Sequence, residues 1–133
     1  MSIFGSYPEF AWSSLLAFGT VLDPGESPGS ERALDAAGPA LTVVYHGMYE
    51  ADPAAVEGLP GGPEWRAALE VVPTHSRHLA THEDHLVAVT ERDRPLLSGD
   101  GLTAFTWTGE AAALRARLDT VAAAGTSEIL YAP

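Results

Sequence analysis

The sequence predicts a helix-rich α/β chain with about three parallel strands. Three observations lead there. An apolar run at 12–22 has the aromatic and β-branched content of a buried strand, and several stretches after it carry apolar residues at helical spacing. The last third reads strand, helix, strand. Two strands of one sheet joined by a helix are parallel and related by a right-handed crossover. With 133 residues, 46% of them hydrophobic, the chain can bury a core, and neither a repeat nor a boundary divides 1–133.

Each element has a local reason. Residues 1–10 hold Gly5, Pro8 and three aromatics outside any period, a poorly specified lead-in. The run 12–22 stops at Asp23-Pro24-Gly25, and 23–30 has the prolines and glycines of a loop. Ser30 caps a short helix through Ala37, which Gly38-Pro39 is expected to break, with Pro39 opening a second helix. In that second helix Leu41, Val44, Tyr45 and Met48 form one buried stripe. Asp52-Pro53 starts a short turn ending near Gly58. Gly61-Gly62-Pro63 opens a further helix with Trp65, Leu69 and Val72 inward, and 76–94 reads as another. Residues 102–107 read as a strand, and Thr108-Gly109 as the turn into a helix that buries Leu114, Leu118 and Val121. Arg115 and Asp119 are spaced to pair on its outer side. Gly125 sits where a left-handed cap belongs, before a last strand at 127–131.

Seven basic and 18 acidic residues give a net charge of −11, and every base is arginine. Such a surface repels nucleic acid and anionic membranes. No apolar run approaches the roughly 18 residues of a membrane span, and the first residues lack a basic n-region, so a cytoplasmic protein is expected. The absence of cysteine removes disulfides, thiolate metal sites and cysteine nucleophiles. Ser13, Ser14 and Ser98 have no nucleophile-elbow context, and Asp84, Glu91 and Asp93 read as a solvated face with Arg92 and Arg94.

Two constellations remain. His75, His78, His82 and His85 fall within about an 80° arc of a continuous helix. His78 and His82, four apart, are spaced to chelate a transition metal. His82 and His85 are three apart, unlike the zincin pair, and no third ligand stands out. Packing or pocket lining is the plainer reading, and no metal is assigned. The second constellation is Thr106-Trp107-Thr108-Gly109 before a helix, where free N–H groups and the dipole suit a phosphate, although Glu110 opposes an anion.

The run 77–94, with Leu59-Pro60-Gly61-Gly62-Pro63-Glu64-Trp65-Arg66 ahead of it, resembles the long late helix of luciferase-like flavin-dependent oxidoreductases. Phe18-Gly19-Thr20-Val21-Leu22-Asp23-Pro24-Gly25-Glu26 is similar to a late barrel strand and its loop. Thr106-Trp107-Thr108-Gly109-Glu110 and the segments at 114–118 and 123–129 resemble the family's closing strand–helix–strand. The likeness spans about 11–133, in order. It implies a partial, half TIM-type barrel corresponding to the family's C-terminal half, since a whole barrel takes about 250 residues. It implies FMN or the deazaflavin coenzyme as cofactor, bound at Thr106, Thr108 and Gly109, with His82, His85 and Trp107 bordering the substrate pocket. No catalytic residue is nominated. The missing half implies a homo-oligomer or a complementary half-barrel chain; the alternative is a non-catalytic remnant or interaction module. A metal-binding helical protein, resting on the histidines alone, ranks third.

Overall fold

The computed structural model describes residues 11–132; the predicted lead-in at 1–10 lies outside the described residues. The order of elements is β1 (Ser14–Phe18), β2 (Val21–Leu22), α1 (Glu31–Ala51), α2 (Gly62–Glu70), α3 (Arg77–Thr81), α4 (Gly99–Phe105), β3 (Gly109–Glu110), α5 (Ala111–Ala123) and β4 (Glu128–Ala132), with 3-10 turns at Ala55–Gly58 and Arg94–Leu96. The chain is thus mixed α/β, with two short parallel strand pairs, β1 with β4 and β2 with β3.

The run expected as one strand at 12–22 is split at Gly19-Thr20, and its two parts take different partners. The Gly19 N–H donates to the Ala132 carbonyl (3.3 Å), whereas the Phe18 carbonyl accepts from the Trp107 N–H (2.7 Å) and the Thr20 carbonyl from the Gly109 N–H (3.3 Å). Successive residues of a strand point their polar groups to opposite sides, so the run is flanked by β4 on one edge and 107–110 on the other. A Cβ at Gly19 would sit 2.3 Å from the Trp107 carbonyl carbon, and only glycine permits so close an approach.

α1 begins as predicted, with the Ser30 Oγ accepting from the Ala33 N–H (3.1 Å). It does not break at Gly38-Pro39. The helix runs through both, burying Ala37, Leu41, Tyr45 and His46 on one side. An interior proline costs about 3 kcal/mol locally. Burial of Leu41 and Tyr45, each fully enclosed, returns about 1.5–3 kcal/mol per side chain and outweighs it. Gly38 is buried against Val89 and Leu97, so it serves packing and not helix termination.

Two more expectations fail in the middle of the chain. The helix predicted at 76–94 stops at Thr81, and turns follow in which Asp84 (φ 54°) and Leu86 (φ 60°) are left-handed. Tertiary contacts override local propensity here: His82 bonds to Glu50 of α1, and the Arg92 guanidinium donates to the Ala80 carbonyl. Residues 102–107 are not a strand either. Ser98 accepts from the Gly101 N–H (3.0 Å) and caps α4, which buries Leu102; extended chain begins only at Thr106.

The end of the chain is closer to expectation. α5 buries Leu114 and Val121 but leaves Leu118 exposed, and Arg115 and Asp119 form no ion pair among the described residues. Gly125 (φ 96°) supplies the left-handed cap: its N–H reaches the Ala122 carbonyl and the Thr126 N–H reaches that of Val121. β4 then pairs with β1, Leu15 opposite Ile129 and Ala17 opposite Tyr131.

Two apolar clusters result. The larger joins α1, α2, α4 and the 3-10 turns around Leu41, Tyr45, Trp65 and Leu102. The smaller lies between the strands and α5, around Ala17, Trp107, Leu114 and Val121. The opposite face of the strands is incompletely covered, with Leu16 and Leu130 more than half exposed. No described helix is long and apolar enough to cross a membrane.

Candidate functional site

The chemistry-bearing residues gather where α1 meets the turns after α3. His46 projects from the buried face of α1 and is 1% exposed; its ring stacks on Trp65 of α2, centroids 5.6 Å apart and planes 14° from parallel. Asp93, also 1% exposed, anchors both aromatic rings. Its Oδ1 accepts from Trp65 Nε1 (2.6 Å) and lies 3.3 Å from His46 Nε2, and its Oδ2 accepts from Thr90 Oγ1 (2.8 Å). Burial pushes the Asp93 carboxyl up, but hydrogen bonds from His46, Trp65 and Thr90 outweigh it and hold the group below its ordinary value. The ionised carboxylate only accepts, so His46 Nε2 carries the hydrogen. His46 Nδ1 is buried and has no hydrogen-bond partner.

His82 and His85 complete the group. The C-terminal end of α3 and the turn after it bring their Nδ1 atoms within 3.0 Å of each other, while His82 Nε2 bonds to Glu50 Oε1 (2.6 Å). The two rings lie 6.0 and 5.9 Å from that of His46, and one nitrogen from each of the three sits within 4.8 Å of the others. Burial, then the neighbouring His82 and His46, lowers the His85 pKa and favours its neutral ring.

The sequence-based assignments are only partly brought together. The four histidines do not share a helix face: α3 ends before His82, while His75 and His78 are exposed and outside the cluster. Asp93 is not on a solvated face but fully buried. His46, Trp65 and Asp93 were not legible as a group, being far apart in sequence. Their one signal was a histidine beside Tyr45 on the apolar stripe of α1.

Thr106 and Thr108 are both 3% exposed, and their hydroxyls are used internally. The Thr106 hydroxyl contacts the Leu102 carbonyl (2.6 Å) and Thr108 Oγ1 (2.7 Å), and Thr108 Oγ1 accepts from the Thr20 N–H (3.3 Å). The Gly109 N–H is taken by Thr20. The two hydroxyls and the Gly109 N–H hold the strands together and are not free for a phosphate. Trp107, under the Arg117 guanidinium (4.4 Å), borders a cavity of about 220 Å³ with Leu16, Phe18, Phe105 and Leu86. His82 and His85 do not line it; the neighbouring Leu86 does. Comparison with family models, curated proteins and solved structures found no match to the chain.

Proposed function

We propose that the chain is the C-terminal part of a luciferase-like flavin- or deazaflavin-dependent oxidoreductase, contributing one wall of a cofactor site that a second copy or a complementary half-barrel chain completes. The observation that carries this reading is the ordered series of sequence blocks at 18–26, 59–66, 77–94 and 106–129. Parallel strands flanking one central run, with α5 crossing between β3 and β4, support it, because (β/α)₈ barrels are built from such units. The uncovered face carrying Leu16 and Leu130 supports a partner, since apolar sheet surface is costly in water.

The hydroxyls of Thr106 and Thr108 and the Gly109 N–H, nominated for the cofactor phosphate, are engaged within the protein. Trp107 borders two cavities, one of about 220 Å³ and one of about 380 Å³ that Leu114, Leu118 and Tyr131 also line, and the second falls within the roughly 300–1,000 Å³ of ligand pockets. Hydride transfer would be chemistry that the bound cofactor supplies to this chain. Its own residues provide an apolar wall that excludes water and a rigid strand edge. The same spent hydroxyls favour a second reading, a non-catalytic member of the family.

Incubation with FMN or with the deazaflavin coenzyme, followed by desalting, a visible spectrum and size-exclusion chromatography, separates these. Retained cofactor colour in an oligomeric fraction is expected of the oxidoreductase. A folded monomer that retains neither cofactor refutes the shared-site reading and leaves the non-catalytic one.

A further inference from the structure

We propose that His46, His82 and His85 form a binding site for one borderline divalent transition-metal ion, of which zinc and nickel are the test cases, through their Nδ1 atoms. This site is separate from Thr106, Thr108 and Gly109, and it takes up His82 and His85, which the family resemblance places beside a substrate pocket.

Two of the three rings are held from their far side. Asp93 takes the Nε2 hydrogen of His46, and Glu50 takes that of His82. In the neutral rings this leaves Nδ1 of both His46 and His82 as lone-pair nitrogens, while His85 Nδ1 donates its hydrogen to His82 and becomes a ligand when that hydrogen moves to its Nε2. A carboxylate on the outer nitrogen is the arrangement that fixes tautomer and orientation in metal-bound histidines and raises their basicity as ligands. The independent observation is His46 itself: its ring is sealed in the core, Nδ1 has no hydrogen-bond partner, and the histidines beside it are His82 and His85. A buried nitrogen left unpaired is destabilising, and a cation shared with the two other rings removes that cost.

The spacing needs only a small adjustment. Two nitrogens about 2.0–2.1 Å from a tetrahedral ion lie roughly 3.4 Å apart. His82 and His85 Nδ1 already meet at 3.0 Å, and one nitrogen of each of the three rings lies within 4.8 Å of the others. His46 is held by Trp65 and Asp93, so the partly exposed His82 and His85 make the adjustment. All-imidazole ligation, in a chain without cysteine, selects zinc, nickel or copper over calcium and magnesium. Three protein ligands leave a coordination position for water. The ion would also clasp the 82–90 turns to α1, fixing left-handed Leu86 as a wall of the apolar cavity.

Isothermal titration of the full chain with ZnCl₂, repeated with NiCl₂, is the test. One ion per chain is expected, weakened at least 100-fold in His82→Ala and in His85→Ala, with His75→Ala and His78→Ala unchanged. Circular dichroism establishes that the variants are folded, and X-ray absorption of the zinc complex is expected to give three imidazole ligands. No binding by the folded wild-type chain overturns the proposal. So does equal weakening by the His75 and His78 substitutions, or a spectrum without imidazole.

Discussion

Replacing Asp93 with alanine removes the acceptor of three hydrogen bonds at once. Trp65 Nε1, His46 Nε2 and the Thr90 hydroxyl all converge on its two oxygens, and the carboxylate is 1% exposed, so water cannot take its place without opening the core. Each buried donor left unpaired costs about 1–3 kcal/mol. Loss of the unfavourable burial of the charge returns part of that, as for other buried ionic groups. The net expectation is a loss of about 3–5 kcal/mol, a large share of the roughly 5–15 kcal/mol that holds a domain together. Urea denaturation followed by circular dichroism measures it, with a melting temperature lower by on the order of 10 °C as the thermal counterpart. Glu91→Ala, at a fully exposed neighbouring position, is the control and is expected to shift stability by less than about 0.5 kcal/mol. A loss below about 1 kcal/mol for Asp93→Ala refutes the reasoning, because the three donors would then have found other partners.

Three further outcomes follow from the same geometry. Pro39→Ala restores a backbone donor inside α1 and is expected to stabilise the chain by about 1–3 kcal/mol in urea denaturation; a loss of stability would mean that the ring itself is packed. Tyr45→Phe deletes a buried hydroxyl that has no partner, so denaturation is expected to show no loss and a gain of up to about 1 kcal/mol. Hydrogen bonds from Arg32, Ser30 and the Asp23 backbone hold Glu26 down at about 2 from 4.5. A depressed carboxyl contributes stability above its unfolded value and loses it as pH falls through its folded value. The stability gap between wild type and Glu26→Gln is therefore expected to be full above about pH 4.5 and to close by about pH 2. Melting curves across that range check it, and a constant gap counts against the assignment.

The sequence by itself determined the features that depend on near neighbours. Ser30 caps α1, the Asp52 carboxylate accepts from the Ala54 N–H (2.9 Å), Gly125 closes α5, and 127–131 is a strand within a residue of β4. Caps and left-handed glycines act over three or four residues, so their chemistry is written locally. Local signals were overruled where distant burial was worth more. The Gly38-Pro39 break gave way to the continuous buried face of α1. The aromatic content of 102–107 gave way to a Ser98 cap and an enclosed Leu102. The histidine run at 75–85 was divided, because the turns after Thr81 carry His82 and His85 toward α1 and leave His75 and His78 in water. Only the tertiary structure could decide that His46, 36 residues before His82, completes the group, with Asp93 and Glu50 behind its rings. Sequence spacing constrains ligands on one element; the meeting of two elements is set by the packing of Trp65, Tyr45 and Leu41, which no local pattern encodes.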